Sequence, residues 1–136
     1  MAESSTHTNL VQLIVTYIRR EHKQVTALGI IDDLPDLLHA EKPNRVGGFV
    51  PDVYAFDAPL TTVIIGEAKT TADLETDHSK RQLCAFLTHL SHQEAGILIL
   101  AVPWQAKRRA QAIIEMLRAE TGAASVQAVT LDDVGL

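Results

Sequence analysis

Cysteine, aromatic residues and long apolar runs are all scarce in this chain of 136 residues. The single cysteine, Cys84, excludes an intramolecular disulfide framework. No apolar run approaches the roughly 20 residues that a membrane helix needs, and the polar start over 1–8 lacks a signal-peptide core. We therefore expect one cytoplasmic domain over 1–136, with 1–8 as a flexible N-terminus and no membrane contact.

Basic residues are also in deficit, since 12 Lys and Arg against 17 Asp and Glu give a formal net charge of −5. This balance argues against a protein that coats nucleic acid through a basic surface alone. It leaves room for a metal-dependent enzyme acting on nucleic acid, because a divalent cation makes clustered carboxylates tolerable. Some of the cations form short groups that are, taken alone, typical of solvated helix surface: Arg19-Arg20, Lys80-Arg81 and Lys107-Arg108-Arg109.

The hydrophobic pattern predicts three helices and five strands in the order α-β-β-β-α-β-α-β. The helices are expected at 9–22, within 73–92 and at 105–120, and the strands at 25–31, 50–56, 62–69, 96–102 and 125–131, with a loop over 32–45. The run 96–102 is continuously apolar, as in a strand buried on both faces. We expect an α/β fold, a mixed β-sheet flanked by helices on both faces, with an α-β-β-β-α-β core and a C-terminal helix–strand extension.

Three charged residues interrupt the apolar runs 50–56 and 62–69, namely Asp52, Glu67 and Lys69. Burying an unpaired carboxylate is costly, so their convergence suggests a site. Alternation along a strand puts Glu67 and Lys69 on one face of the second run. A hairpin about the loop 58–61 then pairs Phe56 with Val63, Tyr54 with Ile65 and Asp52 with Glu67.

Directly opposed residues hold their Cβ atoms about 4.5–5.5 Å apart, so these two carboxylates repel unless a cation lies between them. Mg²⁺ suits such a pair, because it prefers oxygen ligands and takes only one or two protein carboxylates. Lys69 would reach a phosphate or orient an attacking water, and the Ala68 carbonyl would be a further metal ligand. Small residues on the opposite face, including Ala55 and Gly66, would let a helix approach closely.

At Pro51-Asp52 and Glu67-Ala68-Lys69 the chain resembles the PD-(D/E)xK nuclease superfamily, which has the restriction-endonuclease-like or Holliday-junction-resolvase-like fold. The resemblance spans about 9–102, includes the predicted order of elements, and assigns no subfamily. It implies hydrolysis of DNA phosphodiester bonds assisted by Mg²⁺, with Mn²⁺ as the alternative ion. Asp52 and Glu67 would bind the metal, and Lys69 would position or activate the water.

The resemblance also implies two further positions. The family often adds an acid from its first helix, and Glu21 is the candidate, because it extends the inward stripe toward the helix end; an ordinary charge in the last helical turn is as good an interpretation. Asp32, Asp33 and Glu41 compete for that role. The family also places a polar residue on the helix after the Lys strand, where this chain has Gln82.

Two other groupings have simpler interpretations. His89 and His92 are three residues apart, so one helical face would present both to a metal. A zinc site needs a third ligand, and we favour surface histidines. Trp104 precedes three consecutive cations and would suit a nucleic-acid contact, but packing in a core or an interface is the favoured interpretation.

The leading hypothesis is therefore a small metal-dependent nuclease acting on DNA. Without a separate recognition domain it would form a homodimer, read DNA structure or ends, or work with a partner protein. The alternative is a nuclease-like domain that no longer cuts and binds a protein or nucleic acid, which the acidic balance favours. A third interpretation is a purely structural α/β domain in which Glu67 and Lys69 pair with each other.

Overall fold

The computed structural model describes residues 5–29, 45–57 and 61–134. Within these ranges the elements follow the predicted order, and the α/β class is confirmed. The elements are α1 (Ser5–Glu21), β1 (Thr26–Gly29), β2 (Val53–Phe56), β3 (Thr62–Ala68), α2 (Asp77–Ser91), β4 (Ala95–Val102), a 3-10 turn (Trp104–Ala106), α3 (Lys107–Thr121) and β5 (Gln127–Asp132).

The five strands form one mixed sheet in the spatial order β1-β2-β3-β4-β5. The first three are antiparallel neighbours, whereas β4 and β5 run parallel to β3. The helices α2 and α3 supply the crossovers that parallel strands require. Between β2 and β3 the register pairs Tyr54 with Ile65 and Phe56 with Val63, so the predicted pairing is confirmed.

Helices cover both faces of the sheet, as predicted. The α1 face includes Ala55 and Ile64, whereas α2 and α3 pack on the face that includes Val63 and Ile65. Gly66 lies directly beneath α1, because a Cβ built there would come within 2.5 Å of Ile14 Cγ2. The expected close approach of a helix over small residues is therefore present.

The start of α1 differs from the prediction. The helix begins at Ser5 rather than at Asn9, so the expected flexible N-terminus is wrong from Ser5 onward, while 1–4 lie outside the described residues. The first turn is polar and has no apolar stripe that would reveal a helix. The turns that follow, around Leu10 and Ile14, are buried and form the stable part of the helix. The polar turn extends this helix toward the N-terminus, because adding a turn to a formed helix is favourable.

Strand β2 also begins later than predicted, at Val53 instead of Val50. Pro51 has no N–H to donate to a ladder, and a tight turn precedes the strand. Gly47 and Gly48 have φ values of 59° and 88°, and a β-bridge joins Val46 to Phe49 around them. Two consecutive positive φ values are typical of a two-residue type I′ turn.

Several remaining predictions concern the rest of the chain. Cys84 is half-buried against the hydrophobic cluster between α2, α3 and the sheet. Most of the predicted loop 32–45 and of the hairpin loop 58–61 falls on 32–44 and 58–60, which lie outside the described residues. Among the helices that are described, none has the length and apolar character needed to cross a membrane.

Candidate functional site

Four polar side chains meet at the carboxyl end of β3, and each is less than a tenth exposed: Asp52, Glu67, Lys69 and Gln82. Asp52 immediately precedes β2, Glu67 lies within β3, and Lys69 immediately follows β3. Gln82 comes from α2, which covers this face of the sheet. Because buried charges are rare unless they are paired, the cluster is the strongest candidate site in the described part of the chain.

The two acids are linked through the main chain. The Asp52 N–H donates to Glu67 Oε1 at 3.0 Å, and the Ala68 N–H donates to Asp52 Oδ2 at 2.9 Å. These bonds continue the β2–β3 pairing beyond Val53, where the regular ladder stops. The predicted opposition of Asp52 and Glu67 is therefore present, although backbone N–H groups bond to the carboxylates here instead of to backbone carbonyls.

The Ala68 backbone faces Asp52, as its expected role as a carbonyl ligand requires. Its N–H donates to Asp52, whereas the N–H of the next residue, Lys69, donates to Ala101 O on the other side at 3.0 Å. In an extended strand the N–H and C=O of one residue project to the same side. The Ala68 carbonyl therefore lies on the side of the carboxylates.

Lys69 is held between two acceptors. Its Nζ lies 3.3 Å from Glu67 Oε2 and donates a short hydrogen bond to Gln82 Oε1. Glu67 and Lys69 share a strand face, and Gln82 reaches them from the buried side of α2. This contact brings Gln82 into the cluster, where the sequence interpretation expected a polar residue.

Burial and the nearby Asp52 charge raise the pKa of Glu67 to about 8, against the opposing effect of Lys69. Desolvation is the larger cause, because a carboxylate shut away from water is disfavoured. Without a cation between the acids, Glu67 therefore holds a proton at neutral pH.

His7 is the residue that sequence reasoning missed. Its Nε2 lies 3.2 Å from Asp52 Oδ2, so the first turn of α1 reaches the cluster from the helix on the other face. The contact joins residues 45 positions apart in the chain. No local spacing signals it, and the interpretation of 1–8 as an unstructured segment removed His7 from consideration.

Glu21 is not brought to the cluster. It ends α1 and is exposed, with its carboxylate 3.9 Å from Arg20 Nε. Fourteen residues separate it from His7, which is about 21 Å along a helix axis. The assignment of Glu21 is therefore corrected: its interpretation as a charge in the last helical turn is the right one. Asp32, Asp33 and Glu41 lie outside the described residues.

The histidine pair has a different setting from a metal site. His89 Nε2 lies 2.9 Å from the Tyr54 hydroxyl, and burial, followed by the nearby His92, lowers the pKa of His89. Across the described ranges, no group of three or more His, Cys, Asp or Glu side chains is placed to hold a metal ion.

Two carboxylates nonetheless suit Mg²⁺, which usually binds proteins through only one or two. Asp52 and Glu67 offer hard oxygen donors beside the Ala68 carbonyl, and burial followed by the Asp52 charge raises the pKa of Glu67, an effect that a cation between the two acids would oppose. Each carboxylate oxygen has two lone pairs, so its hydrogen bond to a backbone N–H leaves capacity for a cation. The donor set therefore fits the ion that the resemblance implies.

Trp104 does not pack in the core, which corrects one of the expectations for it. The side chain is 57% exposed, in the 3-10 turn that follows β4. Its backbone N–H donates to Asp133 Oδ1 at 2.8 Å, so the turn is fixed to the end of β5.

Comparisons with protein-family models, curated proteins and solved structures find no match for this chain. A functional conclusion therefore depends on the residues of the cluster and on their geometry.

Proposed function

We propose that this chain is a metal-dependent nuclease of the PD-(D/E)xK type that hydrolyses DNA phosphodiester bonds with Mg²⁺. One observation carries the proposal: Asp52, which immediately precedes β2, is joined to Glu67 of β3 at 3.0 Å through its N–H, and the Lys69 ammonium lies 3.3 Å from Glu67. Acids and an ammonium in this arrangement serve phosphoryl chemistry, which is driven mostly by positioning and charge stabilisation.

Asp52 and Glu67, with the Ala68 carbonyl, are the groups that would hold the ion. When bound, Mg²⁺ supplies Lewis-acid polarisation of the phosphate and a more acidic water. The chain's own contribution is to fix both carboxylates, because Asp52 Oδ2 accepts the Ala68 N–H and Glu67 Oε1 accepts the Asp52 N–H.

Lys69 provides the positive charge that the reaction needs beside the phosphate. It is the cationic member of the four-residue cluster and is largely buried, so its field is weakly screened by water. It would orient the attacking water and stabilise the negative charge that develops on the phosphate oxygens. Gln82 keeps the ammonium directed into the cluster through its Oε1.

The proposal is tested by incubating purified protein with plasmid, linear and branched DNA in Mg²⁺ or Mn²⁺. Wild type is compared with Asp52→Asn, Lys69→Met and the control Thr88→Ala, an exposed position on α2. We expect cleavage by wild type and the control, and a loss of at least a hundredfold in the two site variants. Cleavage that survives both site substitutions would refute the assignment.

A second candidate function is that of a nuclease-like domain that binds a partner without cutting. The observation that favours it is the engagement of Lys69, whose ammonium contacts both Glu67 and Gln82 and so keeps only one of its three N–H donors for a water or a phosphate. DNA binding by wild type in Mg²⁺, with no product on any of the three DNA forms, would support this alternative.

A further inference from the structure

Trp104 is the only tryptophan in the chain, and more than half of its side chain is exposed. A single exposed apolar residue is common on protein surfaces, so its surroundings decide whether it has a role. Those surroundings include the candidate site, a fixed backbone and a cation.

Trp104 lies on the same edge of the sheet as the candidate site. The Lys69 N–H donates to Ala101 O at 3.0 Å, and Trp104 follows Ala101 by three residues. Three residues of chain span at most about 11 Å. Because β3 and β4 are parallel, the segments that follow them leave the sheet at this same edge.

A second set of contacts places α1 at this edge as well. A pocket of about 190 Å³ is lined by Thr6, Asn9 and Leu10 of α1 together with Asp133. Asp133 accepts the Trp104 N–H, and His7, in the same helical turn as Thr6, contacts Asp52. The indole is therefore attached to a fixed part of the fold beside the cluster.

Three cations follow Trp104 closely in the chain. The first turn of α3 contains no acid but three consecutive cations, which the helix dipole disfavours at that end. Lys107 pairs with Asp132 at 3.0 Å and Arg109 with Glu75 at 3.1 Å. Within the described ranges no ion pair forms at Arg108, an exposed residue in the first turn of α3, four residues after Trp104 in the chain.

We infer that Trp104 and Arg108 form a stacking surface for unpaired bases, so that the preferred DNA carries a single-stranded segment next to the strand that is cut. The choice of DNA rests on the proposed function. An exposed indole stacks on any unpaired base and needs no sequence readout. In a duplex, by contrast, neighbouring bases cover those faces.

The charge of the molecule favours the same substrate. Duplex binding draws most of its affinity from many cation–phosphate contacts. This chain has a net charge of −5, and Asp132 and Glu75 balance two of the three cations beside the indole. Stacking, rather than charge, would supply the affinity. The stacked base would lie within about five nucleotides of the cluster, because about 5 Å between the strands and about 11 Å of chain are spanned at about 3.4 Å per nucleotide.

Because Trp104 is the sole tryptophan, its fluorescence reports directly on the proposed contact. The full chain is titrated in EDTA, which prevents cleavage, with an oligo-dT of about 12 nucleotides and separately with a blunt hairpin duplex. We expect quenching by oligo-dT and much weaker quenching by the duplex. One or two phosphate contacts predict a slope of log affinity against log salt between about −0.7 and −1.4.

Variants separate stacking from packing. With a labelled oligo-dT, Trp104→Ala is expected to weaken binding by about 5- to 150-fold, whereas Trp104→Phe retains most of the affinity. Met116→Ala is the matched control, because Met116 is an exposed apolar residue further along α3. Thermal unfolding verifies that each variant is folded.

Equal quenching by the duplex, or unchanged affinity in Trp104→Ala, would overturn the inference. The proposed function fails differently. If the chain stacks on oligo-dT but cleaves no DNA in Mg²⁺, the proposed nuclease activity is refuted and the stacking surface is supported. If it cleaves DNA without stacking on oligo-dT, the nuclease activity is supported and the stacking surface is refuted. Binding of oligo-dT that is unaffected by Trp104→Ala but lost on adding salt would assign the contact to charge and overturn the stacking.

Discussion

The Asp52 N–H donates to Glu67 Oε1 at 3.0 Å, so the backbone of one acid fixes the carboxylate of the other. The bond is possible because β2 and β3 pair in a register that sets the two residues opposite each other. It also holds Glu67 in a buried position where its ionised form is disfavoured. Several measurable consequences depend on this one contact.

The stability of the metal-free protein should fall as pH rises from about 4.5 to about 8. The pKa of Glu67 is raised from 4.5 to about 8 on folding, so between these values the folded state binds more protons than the unfolded state. The stabilisation is complete below pH 4.5 and is lost as pH rises through 8. The slope attributable to Glu67 approaches about 1.4 kcal/mol per pH unit.

That slope is measured by urea unfolding at intervals of pH. The difference in free energy of unfolding between wild type and Glu67→Gln, followed against pH, separates the contribution of Glu67 from those of other titrating groups. Glu94→Gln, at an exposed position, is the control. Parallel pH profiles for wild type and Glu67→Gln would contradict the raised pKa.

Replacing Asp52 should relieve the repulsion between the acids. Asn retains an oxygen that can accept the Ala68 N–H and removes the negative charge that disfavours Glu67 ionisation. At pH 9, where Glu67 is ionised, we expect Asp52→Asn to stabilise the metal-free protein by about 1 kcal/mol, with a smaller gain at pH 6. Thermal unfolding at both pH values, with Asp73→Asn as the control, measures the change. A loss of stability at pH 9 would argue against crowded carboxylates.

Mg²⁺ binding should release protons. At pH 7 the metal-free site holds a proton on Glu67, since its pKa is about 8, and a bound cation requires the ionised form. Isothermal titration calorimetry in two buffers of different ionisation enthalpy should give close to one proton released per ion at pH 7 and almost none at pH 9. No heat of binding in wild type, or the same heat in Asp52→Asn, would exclude this metal site.

Gln82 should affect turnover more than substrate affinity. Gln82→Leu removes the acceptor that directs Lys69, and a hydrogen bond to a charged group corresponds to roughly 10- to 100-fold in rate. We expect kcat to fall by that factor with little change in KM. Steady-state cleavage kinetics, with Thr88→Ala as the control, test this. An increase in KM alone would show that Gln82 serves binding instead.

Three glycine substitutions should rank by the contact that each new Cβ meets. In Gly96→Ala the Cβ meets the Leu90 carbonyl oxygen at the end of α2, which cannot rotate away. In Gly66→Ala it meets Ile14 Cγ2 at 2.5 Å, and the core can partly adjust. In Gly122→Ala it meets no atom within 4 Å, and only the φ of +68° costs energy.

We expect destabilisation of more than about 3 kcal/mol for Gly96→Ala, about 1–3 for Gly66→Ala and about 1 for Gly122→Ala. Urea unfolding gives the three values on one scale. A larger cost at Gly122 than at Gly96 would be inconsistent with these contacts.

Patterns of period two in the sequence predict much of this site. Alternation places Glu67 and Lys69 on one face and sets the hairpin register, because a slip of one residue would expose the whole apolar set. The position of Gln82 follows from the helical stripe that contains Phe86, which is buried on the same side of α2.

Such patterns do not predict which end of a helix reaches the site. The apolar stripe of α1 determines which face packs on the sheet but not which end reaches the site, so it points to Glu21 and carries no signal for His7. The contact of His7 depends on how α1 crosses the sheet, which is a property of the assembled core. The exposure of Trp104 likewise depends on the 3-10 turn, whose direction is set by a bond to Asp133.

The pairing of Val53 with Gly66 and of Phe56 with Val63 has a consequence for insertions and deletions. A residue added between Phe56 and Val63 lengthens only the connection, so both acids stay opposed. One added between Val53 and Phe56 reverses the side on which Asp52 emerges and turns its carboxylate toward α1. Natural variation in chain length should therefore be tolerated between Phe56 and Val63 and eliminated between Val53 and Phe56.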